Sequence, residues 1–254
     1  MNIDYPEIVE TVKKAGSLLL NDWTKSREVT SKGHSNHVTH LDFILQNYLI
    51  KKINHITDGR CQFISEEKVN NADYSNTFVI DPIDGTNNFI HGYPHCSISV
   101  AHLVSGETMF GVIYNPLSEE LFMAHKGEGA YLNSQKISTS RTPSTDKSII
   151  GFGLPYDRQK TETIFYLAQS VFEGCEDLKR RGSASLDLAD VASGRLDGYF
   201  ELDLKPWDYY AGALLVTEAG GNFYETDKFG FPFVVATNGL IDNDLFRLLC
   251  IKNS

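Results

Sequence analysis

The stretch of sequence that decides the fold runs from residue 78 to residue 89 and reads Phe78-Val79-Ile80-Asp81-Pro82-Ile83-Asp84-Gly85-Thr86-Asn87-Asn88-Phe89. Its apolar, β-branched beginning predicts a buried strand over residues 77–80. Pro82 has no backbone N–H to donate, and we therefore expect the strand to stop there and turn. This places Asp81 and Asp84 at the carboxyl end of a strand, where two like charges repel each other unless a proton or a cation is shared between them.

The residues of this turn suit both an ion site and an ordinary surface turn. Carboxylate oxygens are the ligands that Mg²⁺ selects. Gly85 lets the backbone approach an anion closely, and Thr86 and Asn87 offer further N–H groups if a helix begins there. Asp, Pro and Gly are also the residues of plain tight turns. On these residues alone, both interpretations stay open.

Two further acidic segments favour the ion site. Ser65-Glu66-Glu67 follows a strand candidate at residues 61–64 and could present its carboxylates at the same edge of a sheet. Asp208 lies at or near the N-terminus of an apolar, helix-like run over residues 211–219. Taken alone, Asp208 is typical of a helix N-cap. Together, the three segments predict a shared acidic site.

Length and charge restrict the class of protein. The chain has 254 residues, of which 41% are hydrophobic, which is enough for one large α/β domain or two closely joined halves. Its formal net charge of −10 argues against a general nucleic-acid binder. A doubly charged phosphate would be repelled by an acidic cluster, so a phosphate site in this chain implies bound divalent cations.

The N-terminal segment, the apolar runs and the cysteines indicate the cellular compartment. Residues 5–20 are amphipathic and too polar for a signal peptide. No apolar run approaches the roughly 20 residues that a membrane-spanning helix needs, so we expect no membrane insertion. The four cysteines are scattered along the chain, which predicts buried free thiols in a reducing cytoplasm.

Periodicity predicts two helices, over residues 5–20 and 41–53, followed by a mostly antiparallel meander of strands. The predicted meander consists of strands at 77–80, 97–104, 110–114 and 121–124. The predicted second half consists of a strand at 148–153, helices at 161–172 and 183–192, a strand at 198–201, the helical run beyond Trp207, a strand at 231–236 and a helix at 240–251. The polar residues 138–147 are the candidate boundary between the halves. We expect a layered α/β assembly, with residues 1–254 as a single domain of two apposed halves, about 1–145 and 146–254.

Several of these segments together resemble the inositol monophosphatase family of Mg²⁺-dependent, lithium-sensitive phosphatases, and the resemblance spans most of the chain. Residues 81–89 look like the family's D-P-[IL]-D-G-T-x-N-F signature, and residues 207–212 are similar to its W-D-x-x-A-G signature. Weaker matching elements are Val38-Thr39-His40-Leu41-Asp42, Ser65-Glu66-Glu67, Gly182-Ser183-Ala184 and Glu218-Ala219-Gly220-Gly221. Their common order and spacing make coincidence a poor explanation.

The resemblance implies a layered αβαβα sandwich, usually dimeric, that hydrolyses a phosphomonoester with two or three Mg²⁺ ions. It places Asp81 between two metals, with Glu66 and the Ile83 carbonyl on one metal and Asp84 and Asp208 on the other. All of these ligand atoms are oxygens, which disfavours zinc.

The resemblance also implies the catalytic and substrate-binding residues. A metal-bound water would pass its proton through Thr86 toward Asp42, while Glu66 steadies the same water. The backbone N–H groups of Gly85 and Thr86 would hold phosphate oxygens. Asp42 is also typical of a first-turn acid of its helix.

The polyol part of the substrate would meet a second set of residues. Asp84, Ser183, Ala184 and Glu201 match positions at the family's substrate site. A carboxylate that accepts two neighbouring hydroxyls gives orientation more than affinity. Glu201 would equally suit a surface charge at a strand end.

The chain departs from the family pattern at residues 179–181. Bacterial members commonly carry Arg where this chain has Lys179, and lysine keeps the charge but loses the planar fork of a bidentate contact. We interpret Lys179, Arg180 and Arg181 as a solvated or dimer-facing basic patch.

Three function classes follow from the sequence. The first is a phosphatase acting on myo-inositol 1-phosphate. The second keeps this chemistry for NADP, fructose 1,6-bisphosphate, histidinol phosphate or a nucleotide 3′-phosphate, because a fold does not select a substrate. The third is a regulatory scaffold that binds a protein or RNA partner. Two acids three residues apart are poorly placed for a glycosidase, whose carboxylates stand ~5–9 Å apart.

Overall fold

Two large β-sheets and seven α-helices form the part of the chain that the computed structural model describes, namely residues 3–23, 29–33, 36–66 and 73–251, with the backbone alone at 29–33 and 36–38. The helices are α1 Tyr5–Asp22, α2 His40–Ile56, α3 Thr86–His91, α4 Thr161–Phe172, α5 Ala184–Ala192, α6 Pro206–Glu218 and α7 Asp242–Leu248. A small antiparallel pair, β1 Val29–Gly33 and β2 Asn36–Thr39, precedes α2.

The first sheet has seven strands in the order β3-β4-β5-β6-β7-β8-β9. They are β3 Gln62–Ser65, β4 Asn76–Asp84, β5 Ser97–Val104, β6 Glu107–Asn115, β7 Glu120–His125, β8 Gly129–Leu132 and β9 Gln135–Lys136. Only the β3–β4 pair is parallel, and all later pairs are antiparallel. The predicted meander is therefore confirmed, and it extends through two short strands that the sequence did not indicate.

The second sheet has five strands in the order β11-β10-β12-β14-β13. They are β10 Ile149–Phe152, β11 Asp177–Lys179, β12 Gly198–Leu202, β13 Asn222–Thr226 and β14 Phe233–Thr237. β10 pairs in parallel with both β11 and β12, and the remaining pairs are antiparallel. The first sheet ends at residue 136 and the second begins at residue 149, while the division of one domain near residue 145 stays a prediction.

Side-chain alternation along the strands divides the core into layers. On β4, Phe78 and Ile80 face α1 and α2, whereas Val79 faces α5 and α6. On β14, Val235 packs with α4 and α7, whereas Val234 packs with α5 and α6. Successive strand residues point to opposite faces, so each sheet buries both of its faces. The order of layers is α1/α2, first sheet, α5/α6, second sheet, α4/α7, which confirms the expected αβαβα sandwich.

The central helix layer lies close to the first sheet. A side chain at Gly111 on β6 would stand 3.0 Å from the Cα of Ala211 in α6, so the close approach requires glycine there. The backbone N–H groups of Gly127 and Gly129 donate to the Glu218 carboxylate at 2.7 and 2.8 Å. These contacts fix α6, and with it the helix start that carries Asp208, against the sheet that carries Asp81.

The expectation that Pro82 ends its strand is wrong, since β4 continues to Asp84. Against β5, Asp81 pairs with Ser99 and Asp84 pairs with Ser97. An advance of three residues along β4 is therefore matched by only two residues along β5. This irregularity has the character of a β-bulge, which takes an extra residue out of the ladder. Pro82 lies inside it, where a missing N–H breaks no inter-strand hydrogen bond.

Other expected boundaries shift by a few residues. Helix α6 begins at Pro206, before the apolar run at residues 211–219, and α7 is shorter at both ends than residues 240–251. All four cysteines are free thiols, as expected, but only Cys96 is buried, and Cys250 is exposed. No described helix has both the length and the hydrophobicity to cross a membrane.

Candidate active site

A cavity of about 430 Å³ opens where the carboxyl ends of β3 and β4 face the loops of the second sheet. Because β3 and β4 are parallel, Glu66 after β3 lies at the same edge as Asp81 and Asp84. The described residues that line the cavity are Glu66, Asp81, Ile83, Asp84, Gly85, Thr86, Asn87, Asn88, Gly153, Leu154, Pro155, Tyr156, Asp157, Arg180, Gly182, Ala184, Glu201, Leu202, Asp203, Leu204, Lys205, Trp207 and Asp208. Of the residues predicted from the sequence, Asp42 and Ser183 lie behind this lining.

Short-range hydrogen bonds shape the turn between β4 and α3. The Ile83 N–H donates to Asp81 Oδ1 at 3.0 Å, and the Thr86 hydroxyl donates to the Ile83 carbonyl at 2.9 Å. Gly85 has φ +89°, and a Cβ there would stand 3.0 Å from the His95 carbonyl oxygen. Only glycine satisfies both the left-handed backbone and this close approach.

Asp84 joins the two halves of the site. Its Oδ2 accepts hydrogen bonds from the Ser183 hydroxyl at 2.6 Å and from the Ser185 N–H at 2.8 Å. Ser183 and Ser185 flank the first residue of α5, Ala184. The last residue of β4 is therefore bound to the start of a helix about a hundred residues further along the chain.

Asp42 and Asp208 occupy equivalent positions in their helices. Each is the third residue of a helix, and each accepts a hydrogen bond at 2.7 Å from the backbone N–H three residues earlier, that of Thr39 or Lys205. Asp42 Oδ1 lies 3.3 Å from the Thr86 hydroxyl. Asp42 is thus both a first-turn acid and a neighbour of Thr86, and Asp208 is both a capping residue and part of the cavity wall.

The carboxylates of the cavity destabilise one another's charged forms. Burial raises the pKa of Asp81 well above its usual value, and the negative charges of Glu66, Asp84 and Asp208 raise it further. Removal from water followed by repulsion from Asp84 raises the pKa of Asp208 in the same way. Burial also raises the pKa of Asp84, against the hydrogen bonds from Ser183 and Ser185. Such repulsion is relieved when a cation enters.

The donor set fits a hard divalent cation. Asp81, Asp84 and Asp208 each have one oxygen engaged in a hydrogen bond described above, so each has a second oxygen to offer. All the donors are oxygens, as Mg²⁺ requires. Within the residues that the structure describes, no three acidic, histidine or cysteine side chains are gathered closely enough to hold an ion as they stand. The carboxylates repel one another across a shared cavity without forming a closed ligand cluster.

Glu201 lies in the opposite wall and is buried, which excludes the surface-charge interpretation. Burial raises its pKa to about 8, although the Tyr199 hydroxyl donates to its Oε2. A Cβ at Gly153, the residue after the neighbouring strand β10, would stand 2.0 Å from the Glu201 carboxyl carbon. The missing side chain at residue 153 is what lets Glu201 reach the cavity.

The sequence did not indicate the wall formed by residues 153–157 and 202–205. Asp203 at this wall accepts hydrogen bonds from Lys160, whose side chain is 7% exposed, and from Lys205 at 2.9 Å. A second contact joins Lys160 to Asp157 at 3.5 Å. A lysine followed by mixed residues at a helix start carries no pattern that would predict burial, so no signal in the sequence pointed to this cluster.

The interpretation of residues 179–181 as a solvated basic patch is wrong for Arg181, and the dimer-facing alternative stays a prediction. Arg181 is half-buried and pairs with Asp187 at 2.6 Å and with Asp190. Arg180 is exposed and also lines the cavity, and Lys179 is a surface cation paired with Asp177. Glu67 lies outside the described residues.

Comparisons with known proteins identify the relatives of this chain. The model of the inositol monophosphatase family matches residues 5–248. The Nus factor SuhB of Escherichia coli K12 is 38% identical over 218 residues, which are 84% of this chain and 81% of that protein.

Solved structures of bacterial proteins share this fold over nearly the whole chain. The extragenic suppressor protein SuhB of Bartonella henselae superposes with a TM-score of 0.90 at 32% identity, covering 96% of this chain and 97% of that one. The Thermotoga maritima IMPase does so with a TM-score of 0.87 at 28% identity, covering 95% and 94%. Sequence, fold and comparisons coincide over nearly the whole chain, which is therefore a member of the inositol monophosphatase family.

Proposed function

We propose that this protein is a Mg²⁺-dependent phosphatase that hydrolyses a small phosphomonoester, with myo-inositol 1-phosphate as the first substrate to test. The observation that carries the proposal is the meeting of Glu66, Asp81, Asp84 and Asp208 around one cavity, beside the glycine turn at Gly85. Four carboxylates that raise one another's energy have a use only where positive charge compensates them. A relative named inositol monophosphatase, from Anabaena, supports it with 33% identity and a TM-score of 0.85.

The cation site would consist of Glu66, Asp81, Asp84, Asp208 and the Ile83 carbonyl. Bound Mg²⁺, two or three ions, supplies a water of lowered pKa and charge stabilisation for the phosphoryl group and the leaving alkoxide. The carboxylates orient the ions and offset their charge. The backbone N–H groups of Gly85 and Thr86 hold phosphate oxygens.

Thr86 would move the proton, because its hydroxyl already lies between two acceptors, the Ile83 carbonyl at 2.9 Å and Asp42 at 3.3 Å. A hydroxyl is too weak a base to keep a proton at neutral pH, so Thr86 passes it on to the buried Asp42. Glu66 steadies the attacking water. The capping bond from Thr39 holds Asp42 in place while it accepts.

The polyol would lie toward α5 and β12. Glu201 accepts hydrogen bonds from neighbouring ring hydroxyls, and Asp84 and Ala184 complete this side. Ser183 acts through its hydrogen bond to Asp84. The related substrates NADP, fructose 1,6-bisphosphate, histidinol phosphate and nucleotide 3′-phosphates share the phosphate site and differ at this wall.

A substrate panel tests the proposal. Phosphate release is measured from inositol 1-phosphate, NADP, fructose 1,6-bisphosphate, histidinol phosphate and a nucleoside 3′-phosphate, with Mg²⁺, with EDTA, and with Mg²⁺ plus Li⁺. We expect release that needs Mg²⁺ and falls with Li⁺. Thr86→Ala and Asp42→Asn should lower kcat by about 100-fold or more if they carry the proton, whereas Asp146→Asn, on a surface turn, serves as the control. Absence of release from every compound would end the enzyme proposal.

The quaternary state and location are proposals of the same kind. We propose a cytoplasmic homodimer whose protomer is one domain of two apposed halves, supported by the free thiols and by membership of the family. Light scattering of the purified chain tests the dimer, and cell fractionation tests the location. Limited proteolysis around residues 138–147 tests whether the halves separate.

A second candidate function comes from the name of the relatives. Several curated proteins at 34–38% identity are called Nus factor SuhB, which favours a scaffold that also binds a partner in transcription. Co-purification with RNA polymerase from the source organism tests this role. An Asp84→Asn variant should retain the association, because binding through the scaffold does not need the carboxylate cluster. No co-purification with either form argues against it.

A further inference from the structure

The cavity is acidic, and its cations are few. Among the described residues that line it, only Arg180 and Lys205 carry a positive charge, against seven carboxylates. Lys205 already forms an ion pair, since its Nζ lies 2.9 Å from Asp203 Oδ1. Within the described part of the chain, Arg180 donates no hydrogen bond and has no carboxylate within ion-pair distance. Arg180 therefore brings an uncommitted guanidinium to the cavity.

The backbone makes room for this guanidinium. Gly182 has φ +86°, and a Cβ there would stand 2.9 Å from Arg180 Nη1 and 3.2 Å from its Cζ. Any side chain at residue 182 would displace the guanidinium from where it lies. Glycine at residue 182 therefore allows both the left-handed backbone conformation there and the observed position of the Arg180 side chain.

The same glycine shows which part of the cavity Arg180 faces. The point where its Cβ would lie is 3.3 Å from the amide nitrogen of Asn88, and the Gly182 carbonyl lies 3.1 Å from the Cβ position of Gly85. Asn88 is fixed by donating to the carbonyls of His95 and Arg181 at 2.7 and 2.8 Å. Arg180 therefore lies next to the turn of Gly85, where the proposed function places the phosphate.

Glu201 is the other group in reach of this charge, because the positive charge of Arg180 opposes the rise in the pKa of Glu201. The two have no direct contact at ion-pair distance. A phosphomonoester carries up to two negative charges and three terminal oxygens, and a planar guanidinium matches that geometry with two parallel N–H donors. Glu201 offers a single carboxylate that is already bonded to Tyr199. The phosphate is the better partner.

We propose that Arg180 is a substrate-binding residue that donates hydrogen bonds to the phosphate oxygens of the phosphomonoester. This inference rests on the proposed function, because it takes the phosphate to lie at the turn of Gly85. Arg180 supplies positive charge on the side of the phosphate next to Gly182. The sequence offered no sign of it, since three successive basic residues are typical of a solvated surface.

Equilibrium binding tests the inference without relying on turnover. Calorimetry with Mg²⁺ present measures the affinity of inorganic phosphate and, separately, of free myo-inositol for wild type, Arg180→Gln, Arg180→Lys and Lys179→Gln. A charge-assisted contact predicts phosphate binding at least about 10-fold weaker in Arg180→Gln. We expect Arg180→Lys to lie in between, and Lys179→Gln, whose side chain is exposed and paired with Asp177, to match wild type.

The pattern across the ligands separates the outcomes. Loss of phosphate affinity with inositol affinity unchanged supports the inference, and KM for inositol 1-phosphate should rise with it. Wild-type phosphate affinity in Arg180→Gln overturns it, as does an equal loss for both ligands, which would assign Arg180 to Glu201 or to the packing of the loop. Wild type that binds phosphate through Arg180 but hydrolyses nothing would refute the proposed function alone. Wild type that binds no phosphate would refute the inference, while phosphate release from the substrate panel decides the proposed function.

Discussion

The two walls of the cavity are held by different kinds of interaction. The motif wall, residues 81–88, is shaped at its turn by hydrogen bonds between residues two or three positions apart, such as Ile83 N–H to Asp81, and is joined to α5 by hydrogen bonds to Asp84. The loop wall, residues 153–157 and 202–205, is held by ion pairs between distant residues, above all Lys160 with Asp203. The motif wall concentrates negative charge without a cation of its own, while the loop wall neutralises much of its charge internally.

The difference gives the motif wall a role in the chemistry and the loop wall a role in the shape of the site. A wall of uncompensated carboxylates stores electrostatic energy that a bound cation releases, and it is therefore suited to the reacting phosphate. A wall closed by its own ion pairs has little charge to offer and fixes the outline of the site. Mutations in the first wall should mainly change kcat, and mutations in the second should mainly change KM and stability.

The largest expected effect is that of Asp81→Asn in the motif wall. Loss of this proposed metal ligand should lower kcat by about 10³-fold or more, because several kcal/mol of charge stabilisation are lost. Without Mg²⁺, the same variant should unfold a few degrees higher than wild type, since one buried, repelled charge has been removed. Steady-state kinetics and thermal melts in EDTA measure the two effects.

An exposed aspartate provides the control for Asp81→Asn. Asp58 pairs with Arg60 at the surface, so Asp58→Asn should change neither quantity by much. A fall in thermal stability of Asp81→Asn without Mg²⁺ would contradict the picture of a wall under electrostatic repulsion, whatever happens to kcat.

The next largest effect is expected from displacing Glu201, which lines the cavity beside the loop wall. A methyl group in Gly153→Ala would lie 2.0 Å from the Glu201 carboxyl carbon and force this side chain out of place. We expect KM for inositol 1-phosphate to rise by about 10-fold or more, with kcat less affected, because a displacement of about 1 Å can cost up to 10²-fold.

A double-mutant cycle isolates the cause. In the Glu201→Ala background no carboxylate remains to be displaced, so adding Gly153→Ala should have little further effect on KM. An unchanged penalty in that background would place the damage in the backbone that follows β10 instead.

The motif wall could be predicted from the sequence because the contacts within its turn are local. Asp81, Asp84 and Gly85 lie within five residues, and turn chemistry fixes their relation whatever the rest of the chain does. Asp42 was predicted only through the resemblance to the family, and Asp208 through that resemblance together with its place at a recognisable helix start. The layered fold followed from the order of the predicted helices and strands and from the resemblance to the family.

The loop wall could not be predicted because its contacts join distant positions. Lys160 and Asp203 are 43 residues apart, and nothing in either neighbourhood marks the lysine as buried. The passage of β4 through Pro82 was missed for a similar reason. Whether a proline ends a strand depends on the partner strand, and here the irregular pairing with β5 absorbs it. The place of Arg180 at the cavity could not be predicted either, because it depends on Gly182 and on a turn almost a hundred residues away.

Lys160→Met tests the loop wall directly. The change leaves Asp203 without its buried partner, and Asp203 is itself 22% exposed, so we expect a loss of about 1–3 kcal/mol in the free energy of unfolding. KM should rise several-fold as residues 153–157 loosen. Urea denaturation and steady-state kinetics measure both.

Lys205→Met is the matched control for Lys160→Met, because Lys205 binds the same carboxylate from a half-exposed position. Its effect on stability should stay below about 1 kcal/mol. Equal effects of the two substitutions would show that burial of Lys160 is not what holds the wall.

The last expected effect, on stability alone, lies on β5, the strand that pairs with β4. His102 on β5 is buried, with its Nδ1 2.8 Å from the Tyr5 hydroxyl and its Nε2 2.8 Å from the Asn76 side-chain oxygen. Asn76 Oδ1 can only accept, so Nε2 carries the proton and Nδ1 accepts from Tyr5. Burial lowers the pKa of His102 to about 4, below its usual value of 6.5. The folded state therefore holds a neutral histidine.

This pKa sets a pH window that differs from that of the cavity. Between pH 6.5 and about 4 the unfolded chain takes up a proton at residue 102 that the folded chain does not. The free energy of unfolding should therefore fall by about 2–3 kcal/mol across this window and be independent of His102 above it. Urea denaturation of wild type and His102→Gln from pH 4 to 8 measures the difference, with His125→Gln as the companion variant on the same sheet. A stability difference between wild type and His102→Gln that stays constant through the window would mean that the Tyr5 and Asn76 contacts do not depend on a neutral imidazole. The acid sensitivity of the first sheet would then have to come from its carboxylates.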